Sequence, residues 1–198
     1  MKMKLEVHRE AKVTAEGILA EAHKYAQRAQ ERKKQVQAST GSTAWNSALR
    51  ATYHAQTLYK WLSGLESELP PALRPSTGAI RVFQIKAVVQ IAPRYLPAGK
   101  DRKQLLEGLR AHADGLLNRF HPDLGGAPMT YGILRYGAKT SQINAEFPFL
   151  PMPMSLQCLV FAPRKGDFLV GKVNRVSSTH IGIVVHQFNF SITPENCE

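Results

Sequence analysis

A cluster of basic and aromatic residues near the C-terminus has the composition best suited to binding a partner. Basic side chains contact phosphates and aromatic rings stack on bases, so such a cluster is typical of surfaces that bind single-stranded nucleic acid. The chain has 198 residues and a formal net charge of +11, which favours an acidic partner. We therefore predict a nucleic-acid interface, and its members are Lys165, Lys172, Arg175, His180, His186 and Phe188.

The same residues have a second interpretation. Phe188 and Phe190 alternate along one predicted strand, so their rings share a face of the sheet, and that face is more often buried than exposed. For the basic residues, the alternative is a charged surface that serves only solubility or docking.

Catalytic and metal-binding patterns are not supported by the spacing. Gly171 and Lys172 lack the upstream glycine and the following Ser or Thr of a phosphate-binding loop. His180 and His186 are placed to share a strand face, but no carboxylate or cysteine lies close by in sequence. Ser177 before His180 is ordinary turn chemistry. We therefore expect no enzymatic activity, no cofactor and no metal site.

The cysteines and the hydropathy exclude other classes of protein. Cys158 lies in an apolar run and is predicted to be a small core residue, while Cys197 is too far away to suggest a disulfide framework. No apolar stretch approaches the roughly 20 residues that span a bilayer, so we expect no membrane partner.

Three short strands must position the basic and aromatic cluster. Apolar residues alternate over residues 168–176, 181–185 and 188–192, with polar turns between them. This pattern is typical of the opening meander of an OB-type barrel. A five-stranded barrel needs two more strands, so we expect this one to be incomplete, completed by a partner, or truncated.

The middle of the chain mixes strands with one helix. The pattern predicts a strand over residues 80–92 and a helix over residues 101–120, whose apolar side ends at Phe120. Candidate strands follow at residues 129–135, 143–149 and 156–161.

The N-terminal part reads as two helices and a linker. Helices are predicted from residue 5 to about 38 and over residues 43–63, and their small-residue faces suggest an αα-hairpin. Three prolines mark residues 69–79 as a linker. The predicted class is therefore α+β: a helical extension at 1–68, the linker, an α/β domain at 80–162 and a partial OB-type barrel at 163–198.

One segment resembles a known family. The run GKVNRVSSTHIGIVVH at residues 171–186 is similar to the run G-x-V-N-K/R-V-S-x-x-H-I-G-x-L-V-H of the polymerase stalk subunits, the family of the seventh subunit of RNA polymerase II and its archaeal counterpart. It resembles the RNA polymerase I stalk subunit most. The resemblance extends through IAPRYL at 91–96 and GAPMTYGIL at 126–134 to cover about residues 82–192. Residues 1–75 have no counterpart, and the turn after His186 is one residue shorter than in the family.

The resemblance implies a function. It predicts a non-catalytic subunit of a DNA-directed RNA polymerase, located in the nucleus, within the nucleolus. The open edges of an incomplete barrel further predict that the chain is stable only in a complex, or that the N-terminal hairpin packs against the barrel. Residues 80–162 would be a tip domain that docks on the large polymerase subunits. The barrel would meet a second stalk subunit, an initiation factor or emerging single-stranded RNA. Two alternatives stay open: a stand-alone OB-type protein that binds single-stranded nucleic acid, and a helical scaffold whose N-terminal helices are the active part.

Overall fold

The computed structural model describes residues 5–11, 15–37, 42–68, 79–96, 102–137, 143 and 147–193. The fold is mixed α+β, as predicted, with antiparallel sheets. The helices and strands, in chain order, are β1 (Leu5–Ala11), α1 (Ala15–Gln37), α2 (Ser42–Glu68), β2 (Ile80–Ile91), α3 (Lys103–Leu116), β3 (Ala127–Tyr136), β4 (Leu150–Phe161), β5 (Lys172–Val176), β6 (Ile181–Val185) and β7 (Phe188–Ile192).

The larger sheet has four antiparallel strands in the order β1-β2-β4-β3. Its two central strands, β2 and β4, are paired over their full length, from Ile80 opposite Phe161 to Ile91 opposite Leu150. Apolar residues occupy both faces of these two strands, so both faces of the sheet have to be covered.

Helix α3 covers one face of the larger sheet. Alternate residues of β2 and β4 point to this face because side chains alternate along a strand. Cys158 is among them, as predicted, and its burial raises the pKa of its thiol to about 12. The residues of this core include Phe83, Ile85, Val89, Ile91, Leu105, Leu109, Ala113, Leu156, Cys158 and Val160.

The opposite face is shared by the helical hairpin and the smaller sheet. The smaller sheet is the predicted meander, with strand order β5-β6-β7. Thr52 ties the two helices together, since its hydroxyl donates to the carbonyl of Ala29 on α1 at 3.0 Å. The core on this side joins Ile18, Ala22, Tyr25, Leu58, Leu62, Val82, Met129, Leu159, Phe161 and Val185.

The first strand is the main correction to the sequence prediction. Residues 5–11 were predicted to start the first helix, but they form β1, which pairs antiparallel with β2 from Leu5 opposite Ala87 to Ala11 opposite Val82. The free edge of β2 offers backbone partners that a short helix could not use, so tertiary pairing overrides local helix propensity.

Several boundaries also differ from prediction, and helix α2 ends at Glu68 instead of residue 63. Helix α3 ends at Leu116, and Phe120 beyond it is 69% exposed instead of extending the apolar side. The strand predicted at 156–161 begins already at Leu150, and the first strand of the meander begins only at Lys172. Residues 144–146 of the strand predicted at 143–149 lie outside the described residues. Most of the predicted linker, residues 69–78, lies outside the described residues, and the domain boundaries stay predictions.

Gly132 allows helix α1 to approach β3. A Cβ added at this position would overlap the ring of Tyr25, which is fully buried. We expect Gly132→Ala to lower the free energy of unfolding by about 1–3 kcal/mol, because the overlap forces α1 away from the sheet. Urea-induced unfolding measures this difference.

Gly64→Ala is the matched control for Gly132→Ala. Gly64 lies in α2, and nothing lies within 4 Å of a Cβ added there. Alanine in a helix interior is favoured over glycine, so we expect this variant to gain up to about 1 kcal/mol. Equal stability of the two variants would contradict the close contact between Tyr25 and Gly132.

Candidate functional site

The structure places the predicted basic and aromatic residues on different sides of the smaller sheet. Lys172 pairs with Val184 and Arg175 with Gly182, whereas Phe188 pairs with Val185. Along β6, the side of the sheet that Gly182 and Val184 face is opposite to the side that Val185 faces. Because paired residues point to the same side, the two basic residues lie on one face and the phenylalanine on the other. Both basic side chains are exposed, as is Lys165 in the turn before β5.

Phe188 is a packing residue. Its ring stacks on the ring of Phe161 with centroids 4.8 Å apart and an interplanar angle of 4°, and Phe190 meets the same ring edge-on at 6.0 Å. These contacts use the ring faces that a base would need. The burial interpretation therefore describes both phenylalanines better than base stacking does.

His180 belongs to the turn between β5 and β6. Its Nδ1 lies 3.1 Å from the hydroxyl of Ser177 and 3.0 Å from that of Thr179, while the amide of Ser177 donates to the His180 carbonyl. The arrangement closes a tight turn. It matches the turn chemistry that the sequence predicted for these residues.

His186 faces the helical hairpin. It has a left-handed backbone with φ of 54°, and its ring lies 5.2 Å from the ring of Trp61 on α2. Burial, and then the nearby His54, lower the pKa of His186 to about 4. The side chain is therefore neutral near pH 7 and carries no charge for a phosphate.

The exposed cations Lys165, Lys172 and Arg175 therefore remain as candidates for phosphate contact. Lys172 and Arg175 share the outer face of one short strand. Exposed cations on a strand face would contact phosphates electrostatically, which suits a sequence-independent contact.

The most elaborate polar site was not predicted from the sequence. Arg32 of α1 is buried, and its Nη1 donates to both carboxylate oxygens of Asp114 on α3, at 2.9 and 3.2 Å. The same nitrogen donates to the hydroxyl of Tyr131 at 3.0 Å, and Ser47 of α2 donates to Asp114. Tyr131 also donates to Asp114 at 2.7 Å. The cluster joins α1, α2, α3 and β3 at one point.

The electrostatics of this cluster favour a stable ion pair. Burial opposes the charge of Arg32, but the carboxylates of Asp114 and Glu107 outweigh it and raise the pKa of the guanidinium above its usual value. Burial and the neighbouring Asp114 carboxylate raise the pKa of Tyr131, so its hydroxyl stays protonated and donates. The groups hold one another in fixed geometry.

A groove of about 470 Å³ opens beside the cluster, between α1, α3 and β3. Two of its three arginines are already paired, Arg32 with Asp114 and Arg110 with Glu107 at 3.0 Å. The groove therefore offers little free positive charge to an anion. Among the residues described, no group of three or more His, Cys, Asp or Glu side chains gathers to hold a metal ion.

The sequence signal for this cluster was weak. Asp114 is an acidic residue beside the apolar stripe of α3, next to the buried Ala113, which is an unusual place for a carboxylate. Arg32 gives no signal, because it lies in the charged run ERKKQ.

No helix within the described part of the chain is long and apolar enough to cross a membrane.

Removal of Arg32 tests the cluster. We expect Arg32→Ala to lower the free energy of unfolding by about 3–5 kcal/mol, because Asp114 is left charged and buried. The double variant Arg32→Met with Asp114→Leu should lose less, since no unpaired charge remains. Urea-induced unfolding measures both. Lys34→Ala, at an exposed site on the same helix, is the control and should stay within about 0.5 kcal/mol of the parent chain.

His186 predicts a pH-dependent stability. Its pKa is about 4 in the folded chain and near 6.5 when unfolded, so the unfolded state binds the proton more tightly. The stabilisation is fully present above about pH 6.5 and is lost as the pH falls toward 4, by about 1–2 kcal/mol on reaching pH 5. His186→Asn keeps a residue that tolerates positive φ and should flatten this decline. The exposed His23→Gln is the control, and an equal decline in all three proteins would contradict the assignment.

Comparison with known proteins identifies relatives of this chain. It matches no protein-family model. It is 34% identical over 88 residues to DNA-directed RNA polymerase I subunit rpa43 of Schizosaccharomyces pombe, which is 44% of this chain and 51% of that protein. It is 34% identical over 105 residues to DNA-directed RNA polymerase I subunit RPA43 of Mus musculus, which is 52% of this chain and 30% of the relative.

A third relative is more distant. The probable DNA-directed RNA polymerase I subunit RPA43 of Dictyostelium discoideum is 29% identical over 115 residues, or 58% of this chain and 31% of that protein. The chain thus spans about half or less of the length of the relatives it matches. Their shared name confirms the resemblance to the RNA polymerase I stalk subunit that was predicted from residues 82–192.

Proposed function

We propose that this chain is a non-catalytic subunit of DNA-directed RNA polymerase I, active in transcription initiation in the nucleolus. The observation that carries the proposal is the 34% identity to RNA polymerase I subunits in organisms as distant as Schizosaccharomyces pombe and Mus musculus. In this proposal the four-stranded sheet and α3 dock on the large polymerase subunits, and the three-stranded sheet meets an initiation factor, another subunit or emerging RNA.

An exposed apolar end of the smaller sheet supports assembly with a partner. Val173 and Val176 of β5 are 58% and 73% exposed, and their strand partners are Ile183 and Ile181. They lie on the same face as Phe188, but on the outer strand β5, beside the part of the sheet that packs against the core. Exposed apolar strand surface of this kind favours association.

The helical-scaffold alternative is less well supported. The apolar faces of α1 and α2 are buried against each other and against both sheets, as shown by Ala22, Ala55 and Leu58, which are fully buried. A scaffold whose helices were the active part would leave such a face free for another protein.

Copurification tests the main proposal. We expect the tagged full chain to retain the large RNA polymerase I subunits, as identified by mass spectrometry. Val176→Glu should leave that yield unchanged but should lower the yield of the initiation factor or other subunit that meets the three-stranded sheet, because a charge on the exposed apolar end opposes burial by that partner. Tyr53→Glu, on α2 and 59% exposed, is the matched control and should retain the subunits. A tagged chain that carries no polymerase subunit would overturn the proposal.

RNA binding tests the basic face. We expect the double variant Lys172→Glu with Arg175→Glu to bind single-stranded RNA at least about ten-fold more weakly, and to reduce the slope of log affinity against log salt by about 1–1.5. The control variant carries Lys34→Glu and Lys60→Glu, the same change in charge at exposed helix positions. An equal loss in both variants would assign the effect to net charge, not to this face.

A further inference from the structure

Residues 5–68 contact the rest of the chain as a separate protein would. Strand β1 adds to the outer edge of β2, from Leu5 opposite Ala87 to Ala11 opposite Val82. Addition of a strand to a free sheet edge is a recurring way in which one protein binds another, because the backbone bonds require no special sequence.

The helices of this segment supply the apolar centre of the contact. The fully buried ring of Tyr25 lies directly on Gly132 of β3, and Leu58 and Leu62 enter the core formed by β2, β4 and the smaller sheet. Trp61 adds a ring contact to His186 at 5.2 Å. Buried aromatic anchors surrounded by aliphatic residues are the usual centre of a protein interface.

Polar bonds fix the register of this contact at two places. At one, Arg32 pairs with Asp114 at 2.9 Å across the contact. At the other, His54 of α2 lies 3.0 Å from the side-chain amide of Asn118, which also donates to Gln187. Charged and polar pairs of this kind give an interface its specificity.

The sequence separates the same two parts. All the motifs that resemble polymerase subunits lie within residues 82–192, and the longest of the reported matches is 115 residues. The segment between the two parts, residues 69–78, reads LPPALRPSTG, a composition typical of linkers. The part that resembles polymerase subunits therefore presents a sheet edge and a sheet face, and residues 5–68 cover them.

We infer that residues 5–68 are a tethered subunit. The edge of β2, the face around Gly132 and the turn at His186 form a docking surface for a strand followed by two helices, and this chain fills the surface with its own N-terminal segment. The contacts alone hold the two parts together, and the peptide connection only raises their effective concentration. The inference is independent of the polymerase proposal.

Cleavage of the full chain tests this inference. A protease recognition sequence is inserted between Arg74 and Pro75, and the folded protein is cut without denaturant. We expect the two fragments to elute together in size-exclusion chromatography at about 1 µM, with the light-scattering mass of the uncut protein. Fragments that separate under these conditions would overturn the inference, and uncut protein with the same insertion is the control.

Variants in the contact show whether this surface holds the fragments. Arg32→Ala should weaken the association of the cut fragments by about 100-fold, because Asp114 loses its partner. Ser47→Ala removes only the hydroxyl that donates to Asp114 and provides a milder variant if Arg32→Ala does not fold. Lys34→Ala should leave the association unchanged. If the cut fragments of both the Arg32→Ala and the Ser47→Ala proteins associate as tightly as those of the unmodified sequence, the inference is also overturned.

Discussion

The four-stranded sheet has to be covered on both faces, and the rest of the structure follows from this constraint. Strands β2 and β4 carry apolar side chains on each side, such as Ile85 toward α3 and Val82 toward the hairpin. Helix α3 is 14 residues long and covers one face only. The other face requires both the helical hairpin and the three-stranded sheet. Those two parts meet each other because they share that face, which is why Trp61 and His186 come into contact.

The buried ion pair has a different role from the apolar contacts. The hydrophobic effect that holds the hairpin on the sheet is not directional, so this effect alone would let the hairpin shift along the sheet with little loss of apolar contact. Arg32 and Asp114 do not permit such a shift, because a displaced pair would leave two buried charges without partners. The pair lies where α1, α2 and α3 come together beside Tyr131 of β3, and α1 and α2 pack on that strand. The position of the hairpin on the sheet is therefore fixed by a few polar atoms, whereas most of the free energy that holds it there comes from burial of apolar side chains.

Local patterns predicted the elements that are stabilised locally. The alternation of Phe188, Phe190 and Ile192 predicted β7, and the small-residue faces of α1 and α2 predicted the hairpin. Strand β1 could not be predicted in this way, because its pairing partner is the edge of β2, more than 70 positions away in the sequence. The Arg32–Asp114 pair spans 82 positions and has the same limitation.

The candidate nucleic-acid residues show this limit most clearly. Lys172 and Phe188 looked like members of one surface, but pairing between strands decides which face each side chain takes. Their separation follows from the register, which the turn after His186 sets by placing this residue in a left-handed conformation. A change of one residue in the length of that turn would exchange the two faces of β7. This turn is one residue shorter than in the polymerase stalk subunits that the sequence resembles, and its length determines which residues of β7 meet the core.

The smaller sheet has two apolar regions with different requirements. The end near Phe188 and Val185 is covered by residues of the same chain, whereas the end at Val173 and Val176 is exposed. Covalent tethering makes the first contact nearly independent of concentration, since the partner segment is always present. The second contact has no such advantage within the described residues, and in the proposed function it is the surface that a partner would cover. The chain thus keeps the contact that maintains its own fold separate from the apolar surface that β5 leaves exposed.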